Sequence, residues 1–478
     1  MRRLGVGLVY FSELDPLFRE DNPDLSVLEL EPETFWEKIH PVGSVDGETY
    51  LPNAQAMAKI SALPQHKLVH SVGFPVGGSV RHDGHYVTPL VDTVTALGAP
   101  WASEHLSFNA IQTGSGVEQI GFLLPPRQTH AGVNMAVCNI RRLASQLPVP
   151  FAFETGVNYL QPRSDELSDG KFFSLIAEEA DCGILLDLHN LWVNERNGRQ
   201  PVDEAIAELP LERVWEIHLA GGMMLGDYYL DSHSDAIPDL LLDIAAQVIP
   251  RLPNLGALIF EMLPGYVPQL GLDGVKQQLT RLNELWRLRP AESIYVPRRP
   301  VVSADRLDGP CDVVEWERTL GTLALGHSQT PADSNQHALA GDTGVKILQT
   351  LVGEFRDGRI SRAMRFTITL MLAHLGPAAV HDLLNDYHIS TFPEDFASGE
   401  ADRFAQYLRG RLATLPPVPF LANVLDFEHA LIRAALYGAT SRIEWSVDPA
   451  ELFSALEAGR LPSSTRTTRI IMDIVPEG

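Results

Sequence analysis

The sequence is poor in cysteine, in positive charge and in long apolar runs, and each shortage excludes a class of protein. Only three of the 478 residues are cysteine, at Cys138, Cys182 and Cys311, so neither a disulfide framework nor a thiolate metal cluster is expected. The 37 basic residues are outnumbered by 61 acidic ones, and the formal net charge of −24 disfavours binding to nucleic acid. No stretch of about 18 apolar residues could cross a membrane.

Two further signals are missing near the N-terminus. The first apolar run stops at Ser12 and Glu13 without a small-residue cleavage site, which indicates a cytoplasmic protein rather than a secreted one. The same segment, GVGLVYFSE, does not have the glycine spacing of a dinucleotide-binding loop. This absence disfavours an open, doubly wound sheet.

What the sequence does contain is a regular alternation of short apolar and longer amphipathic segments over the first 290 residues. Apolar strands separated by helices are typical of a parallel sheet covered on both faces. The predicted strands are 4–10, 25–30, 67–73, 99–105, 150–155, 182–188, 213–219 and 257–262. Eight such strands predict an α/β fold of the (β/α)₈ TIM-barrel type, followed by a mainly helical C-terminal domain.

The domain organisation follows from a change in composition after the eighth strand. We expect a barrel over 1–290 and a linker with a short helix over 291–343, where Pro, Ser, Asp and Gly dominate. Residues 344–478 have helical periodicity, with 440–447 and 465–475 as a terminal pair of strands.

Histidines and carboxylates stand at or just beyond the ends of the predicted strands. They are His70, His105, Glu154, Asp187, His189, His218 and Glu261, and Asp231 and His233 add a pair in an expected loop. The reactive groups of such barrels collect at the carboxyl ends of the strands, so residues far apart in sequence meet at one face. Imidazole and carboxylate are ligands of divalent first-row metals, and we therefore predict a metal site.

Some of these residues are hard to explain without a cation. Glu154 follows Phe-Ala-Phe and Asp187 follows four apolar residues, so burying either carboxylate would be costly unless it were paired or bound to metal. His189 is expected to share a face with Asp187 on a continuing strand, and Glu216 is expected to share one with His218, as ligand and orienting residue. The donors exceed the four to six that one ion needs, so we expect two or three ions. Iron, manganese and zinc all fit these ligands.

The ordered segments VHSVGFPVGG, SEHLSF, FETGVNYL, ILLDLHN, EIHLAGG, LDSHSD and IFEM resemble those of the multinuclear non-heme iron-dependent oxidative enzymes, the family of the methanobactin-biosynthesis oxidase. The resemblance spans about residues 4–290. It implies a xylose-isomerase-like barrel that uses two or three irons and O₂ to modify a ribosomally synthesised precursor peptide, often at cysteine. The ligands it implies are His70, His105, Glu154, Asp187, His218, Asp231, His233 and Glu261.

We also predict His189 as a ligand, and Glu154, Asp187 and His189 as catalytic residues. His189 stands where the family usually has Asn, and Gly222 stands where it often has His, so the third metal site and the substrate contacts differ here. The helical C-terminal region loosely resembles the small partner protein that captures the precursor's leader segment. A fused partner and a packing or dimerisation domain are both open interpretations.

Two other classes of function are weighed against the oxidase. A redox-neutral isomerase or phosphodiesterase could use two divalent ions on the same barrel. An isomerase would usually place a lysine in the pocket, and Lys67 is the only lysine in the predicted strands. A non-catalytic metal-storing or peptide-binding scaffold would not explain so many donors at one face.

Overall fold

The computed structural model describes residues 1–39, 49–81, 84–294, 311–327, 334–460 and 469–476. The chain divides into two compact units. The first comprises residues 1–109, 123–319 and 341–347, and the second comprises 110–122, 320–340 and 348–478. The division at 290 and 343 stays a prediction, because the stretch between 294 and 311 lies outside the described residues.

The first unit contains a closed barrel of eight parallel strands, which confirms the predicted fold class. All eight predicted segments form its strands. These are β1 (Gly5–Val9), β2 (Val27–Leu30), β5 (His66–Ser71), β6 (Ala102–His105), β9 (Phe151–Glu154), β10 (Gly183–Asp187), β11 (Val214–Leu219) and β14 (Ala257–Phe260). Their order around the barrel is β1, β14, β11, β10, β9, β6, β5 and β2.

The strands are apolar on both faces because helices cover the outside and packed side chains fill the inside. Every residue of β10 and β11 is buried. Gly7 lets β1 and β2 approach closely, since a Cβ atom there would lie 2.5 Å from the carbonyl oxygen of Val27. The charged residues within these strands are therefore the informative exceptions.

Three of the helices around the barrel begin at side chains that accept from free backbone N–H groups. Asn53 caps α2, Thr129 caps α4 and Asp187 caps α6. The helices are α1 (Asp15–Arg19), α2 (Ala54–Ser61), α3 (Gly84–Leu97), α4 (His130–Ala144), α5 (Asp169–Ala180), α6 (Leu188–Arg196), α7 (Val202–Glu208), α8 (Asp239–Val248), α9 (Val267–Trp286) and α10 (Cys311–Ala324).

Three hairpins interrupt the alternation of strand and helix. They are β3 (Trp36–Ile39) with β4 (Thr49–Pro52), β7 (Phe108–Thr113) with β8 (Gly116–Leu124), and β12 (Gly221–Leu225) with β13 (Tyr228–Asp235). The placement of Asp231 and His233 in a loop is wrong, because both lie in β13. That strand pairs antiparallel with β12 directly after barrel strand β11, which turns the segment back over the end of the barrel.

The second unit is mainly helical and ends in the expected pair of strands, β15 (Ser441–Trp445) and β16 (Ile470–Ile474). Its core contains Tyr387, Phe404 and Trp445. Its helices are α11 (Ser334–Ala340), α12 (Thr343–Ala363), α13 (Arg365–Leu375), α14 (Pro377–Ser390), α15 (Ala397–Arg411), α16 (Leu421–Tyr437) and α17 (Pro449–Glu457), and the residues of α10 and of α12 are divided between the two units. Within the described residues, no helix is both long and apolar enough to cross a membrane.

Candidate metal centre

The barrel strands deliver the predicted residues to one end, where their pairing register sets them side by side. His105 at the end of β6 pairs with Glu154 at the end of β9. Asp187 at the end of β10 pairs with His218 near the end of β11. Glu261 follows β14 directly, so the parallel register brings together side chains that are up to 191 positions apart.

The first donor group consists of His70, His105 and Glu154. The Nε2 atom of His70 lies 3.2 Å from Glu154 Oε2, and the Nε2 atom of His105 lies 2.9 Å from the same oxygen. The two imidazole rings are 4.6 Å apart between centroids. A single carboxylate oxygen thus faces two ring nitrogens at a spacing that a metal ion could occupy.

The second donor group consists of Glu154, Asp187, His218 and Glu261, all of them buried. His218 Nδ1 lies 2.9 Å from Glu261 Oε2 and 3.9 Å from Glu154 Oε1. The backbone N–H of Asn190 donates to Asp187 Oδ1 over 2.8 Å, which leaves Oδ2 of Asp187 directed elsewhere without a partner. Asp187 therefore serves the helix cap with one oxygen and has the other available for a cation.

The third donor group consists of His189, Asp231 and His233. Asp231 Oδ1 lies 2.9 Å from His189 Nδ1 and 2.7 Å from His233 Nε2. His189 does not lie on a continuing strand, because β10 ends at Asp187 and His189 is in the first turn of α6. Its ring instead contacts Asp231, which lies on hairpin strand β13. His233 has a left-handed backbone with φ of 45°, a strained conformation that is often found at functional sites.

Shared residues join the three groups into one cluster. Glu154 belongs to both the first and the second group. Glu261 contacts His218 of the second group, and its Oε1 atom lies 3.1 Å from His233 Nδ1 of the third. All nine residues predicted as ligands are therefore brought together, although the structure does not assign them as ligands.

The cluster leaves several buried polar atoms without a hydrogen-bond partner. They are His70 Nε2, Glu154 Oε2, Asp187 Oδ2, His189 Nε2, His218 Nε2 and His233 Nε2. Buried polar atoms are nearly always hydrogen-bonded in folded proteins, and a set of exceptions at one place needs an explanation. Nitrogen and oxygen donors that face one another without completing their hydrogen bonds fit divalent cations, so the residues present pass the test for a metal site.

The electrostatics of the cluster also favour added positive charge. Burial opposes ionisation of Glu154, yet the neighbouring His105 and His70 hold its pKa well below the usual range. Burial likewise opposes protonation of His233, but Asp231 and Glu261 raise its pKa well above the ordinary value. These carboxylates and histidines thus favour each other's charged forms, and bound metal ions would supply the same positive charge.

Asp187 lies close to His218, but that histidine does not offset the burial of the carboxyl and the like charges around it. Burial, followed by the negative charges of Glu154 and Asp231, raises its pKa well above the usual value. A divalent ion bound next to this carboxyl would favour its ionised ligand form.

Sequence reasoning missed several groups behind the cluster. Ser103 Oγ lies 2.9 Å from the second ring nitrogen of His70, and Glu29 Oε1 lies 2.9 Å from the second ring nitrogen of His218. Glu31 follows β2, and burial together with the charge of Glu261 raises its pKa to about 7. Glu29 could have been found by the signal that marked Glu154, a carboxylate within an apolar strand (LSVLEL).

Comparison with known proteins supplies the context for this geometry. A family profile described as "RiPP precursor modification enzyme MbnB/TglH/ChrH" matches residues 5–264, more than half of the chain. RiPP denotes a ribosomally synthesised and post-translationally modified peptide. The chain belongs to this family. All nine predicted site residues lie inside the matched segment.

Relatives described as UPF0276 proteins occur in several bacteria. The protein from Streptomyces avermitilis is 31% identical over 307 residues, which cover 60% of this chain and 63% of that protein. The chain thus spans just under two thirds of that relative. The protein from Chromobacterium violaceum is 29% identical over 255 residues, which cover 53% of this chain and 86% of the relative.

Solved structures with a similar barrel are distant. A D-psicose 3-epimerase covers 59% of this chain and 97% of its own length, with a TM-score of 0.36 and 10% identity. A xylose isomerase domain protein from Alicyclobacillus acidocaldarius covers 59% of this chain and 100% of its own, with a TM-score of 0.37 and 14% identity.

Proposed function

We propose that this enzyme carries out an iron- and O₂-dependent oxidative modification of a ribosomally synthesised precursor peptide, at a cysteine. The proposal depends above all on one observation: nine histidines and carboxylates form three contiguous donor groups with buried, unpartnered nitrogen and oxygen atoms. Iron bound there would supply the one-electron redox chemistry and the reaction with O₂ that amino-acid side chains lack.

The donor groups differ in how accessible they are, which suggests different tasks. In the second group, the side chains of Asp187 and His218 are fully buried. In the first group, His105 keeps 21% of its side chain exposed, and the third group has Asp231 at 13%. A peptide thiolate could therefore reach the first or the third group, whereas the second is suited to holding charge out of reach of solvent.

The first group offers only three protein donors, which suits a reactive position. His70, His105 and Glu154 would leave coordination sites open for substrate and oxidant, as the facial arrangement of oxygen-using iron sites does. Glu154 also belongs to the second group, so a change of charge at one position would be felt directly at the other. We propose Glu154 and Asp187 as the catalytic carboxylates on this basis, with His189 completing the third group.

The rival function is a redox-neutral isomerase or phosphodiesterase with two divalent ions. Its usual lysine has no counterpart among the strand residues that reach the centre. Lys67 lies near the start of β5, and its Nζ atom donates to the backbone carbonyls of Leu63 and Gln65. That lysine is thus occupied at the far end of the strand.

The test starts from protein purified without oxygen. We expect bound iron, an optical band from a mixed-valence iron pair after partial oxidation, and O₂ consumption with a precursor peptide encoded by a neighbouring reading frame. The matched control is the same peptide with Cys replaced by Ser, which should not be modified. Zinc or manganese alone with full activity on a sugar or a phosphodiester would contradict the proposal and favour the rival.

The second unit is proposed to capture the leader segment of the precursor. The family match ends at residue 264, before this unit begins its helices, and β16 and the residue after it expose the apolar Ile471 and Val475. We expect the full chain to bind the precursor more tightly with its leader than without it, measured by fluorescence anisotropy. Equal affinity for both peptides would instead favour a packing or dimerisation role.

A further inference from the structure

Two carboxylates lie inside the barrel next to the metal-binding end but outside the nine predicted ligands. Glu29 is on β2 and Glu216 is on β11, and neither side chain has any exposed surface. Each, together with His218, offers one donor atom within 4.8 Å of the others. The indole Nε1–H of Trp101 donates to Glu216 Oε2 over 2.9 Å.

His218 connects this interior pair with the donor cluster, because its two ring nitrogens face opposite ways. Nδ1 faces Glu261 and Glu154 in the second donor group. Nε2 lies 2.9 Å from Glu29 Oε1, in a short contact whose direction is poor for a hydrogen bond. A neutral imidazole carries one proton, so a ring that offers the Nδ1 lone pair to a cation must carry its proton on Nε2.

We propose that Glu29, which lies beside Glu216, is a positioning residue that fixes the ring orientation and tautomer of His218 for cation binding through Nδ1. A carboxylate on the far nitrogen of a metal-binding histidine raises the basicity of that ligand and locks its ring. This inference depends on the metal-binding part of the proposed function, but not on the identity of the metal or on the reaction.

The burial of this chain of residues supports a specific role. A buried carboxylate is costly unless it is paired, and Glu29 has no hydrogen-bond donor on either oxygen among the described residues. Its short contact is with the Nε2 atom of His218. Binding of a cation at Nδ1 would make the Nε2 proton more acidic and would strengthen that contact, so the carboxylate is best explained by a loaded His218.

The barrel contains a matched case for comparison. His70 belongs to the first donor group, and its far nitrogen, Nδ1, faces the hydroxyl of Ser103 at 2.9 Å instead of a carboxylate. Ser103 and Glu29 therefore stand in the same relation to two different donor groups. Substituting one should weaken binding in its own group and leave the other group unchanged.

The experiment measures the affinity of each ion rather than turnover. Wild type, Glu29→Gln and Ser103→Ala are loaded without oxygen with Fe²⁺, and in parallel with Zn²⁺, against a competing chelator. Anomalous scattering from crystals of the loaded proteins then shows which donor group loses its ion. We expect Glu29→Gln to weaken the ion of the second group by about 10- to 100-fold, the usual cost of losing such a partner.

Substitutions of the residues next to Glu29 should lower the metal affinity less than substitution of Glu29 itself. Glu216→Gln and Trp101→Phe act through Glu29, so each should weaken the same ion by less than Glu29→Gln does. Ser103→Ala should weaken only the ion of the first group. In the loaded wild type, His218 should bind the ion through Nδ1 and hold Glu29 at hydrogen-bond distance from Nε2.

Several outcomes would overturn the inference. One is unchanged affinity at the second group in Glu29→Gln, and another is an equal loss at all groups with a lowered unfolding midpoint, which marks a merely structural role. An ion found between Glu29 and Glu216 would replace positioning by direct ligation. Failure of the proposed function is separately visible: if wild type binds zinc but no iron, the oxidase proposal fails while the zinc titration still decides the role of Glu29.

Discussion

A buried ion pair of the second unit differs from the donor cluster of the barrel in how its charged groups are hydrogen-bonded. In the second unit, Arg356 and Glu400 are buried, and the guanidinium donates to Glu400 Oε1 over 2.9 and 2.8 Å. Its other N–H groups reach the carbonyl oxygens of His388 and Thr391, and the backbone N–H of Glu394 donates to Glu400 Oε2. The protein itself therefore supplies hydrogen-bond partners for both members of this ion pair.

In the donor cluster of the barrel, the protein does not complete the hydrogen bonding of the buried groups. Asp187 Oδ2, Glu154 Oε2 and a ring nitrogen of each of several histidines lack hydrogen-bond partners although they are buried. Burial of charge is therefore common to a structural ion pair and to a candidate binding site. What separates them is whether the protein itself completes the hydrogen bonding, because an incomplete set is costly unless something else binds there.

The largest test of this difference is Glu154→Ala. Since Glu154 contributes ligand atoms to two of the three donor groups, we expect the Glu154→Ala protein to lose the ions of both groups while it remains folded. Metal content by mass spectrometry and circular dichroism are the measurements. The control is Glu317→Gln in the same unit, a buried carboxylate whose oxygens accept from the backbone and hydroxyl of Ser79. Full metal content in Glu154→Ala would refute the assignment.

The complementary test is Arg356→Met in the second unit. Removing one partner of a buried ion pair leaves Glu400 uncompensated, and we expect a loss of about 3–5 kcal/mol in the free energy of unfolding. Urea unfolding followed by circular dichroism measures it, and metal content should not change. The double variant Arg356→Met/Glu400→Gln should recover part of the loss. A drop in bound metal would mean that the two kinds of buried charge are not independent.

Protein stripped of metal should show how the cluster balances itself. Despite burial, neighbouring carboxylates raise the pKa values of His105, His218 and His233 well above about 6.5. Groups with raised pKa values stabilise the fold fully below the unfolded value and lose that contribution as pH rises through the folded one. We expect the stripped protein to be less stable at pH 8.5 than at pH 6.

Lowering the pH should also reduce the free energy of unfolding of the metal-free protein, because its buried carboxylates become protonated. Burial opposes ionisation of Asp231, but His233 and His189 lower its pKa to about 2, and Glu261 is held well below its usual value. This stabilisation is present above about pH 4 and is lost below it. The loaded protein should gain most from metal at high pH, where protons do not compete for the ligands. Urea midpoints that are independent of pH in the stripped protein would speak against this charge balance.

The sequence allowed the barrel and the site positions to be predicted for one physical reason. Short apolar segments can be recognised as strands from the sequence alone. Because the parallel strands of a barrel bring their carboxyl ends to one face, His70 and Glu261 could be placed in one group from the sequence. Hairpin β12–β13 was missed because its glycines and the polar segment DSHSD are typical of a loop. The turn into α6 was missed because Asp187 ends the strand and caps the helix at once.

The supporting residues were harder to predict than the ligands. Glu29 matters through its contact with a ring nitrogen on β11, a strand that is remote in sequence and is not adjacent to β2 in the barrel. Ser103 likewise contacts a ring nitrogen of His70 across the β5–β6 pair. Strand-end position alone does not reveal which far nitrogen a neighbour faces. Such contacts depend on side-chain rotamers, which period and composition do not determine.

The smallest expected effect separates two helix caps within the barrel unit. Thr129 caps α4 by accepting from the N–H of Gly132, and Asp187 caps α6 in the same way through Asn190. Thr129→Ala should lower the free energy of unfolding by about 1 kcal/mol, because it removes the hydroxyl that caps α4. Metal content should not change, because Thr129 is not one of the predicted ligands. Asp187→Asn keeps a capping oxygen and should retain most of the stability, yet it should lower metal affinity, because the second oxygen of Asp187 becomes an amide nitrogen that cannot bind a cation. Equal metal affinity in the two variants, measured by chelator competition, would reduce Asp187 to a cap like Thr129.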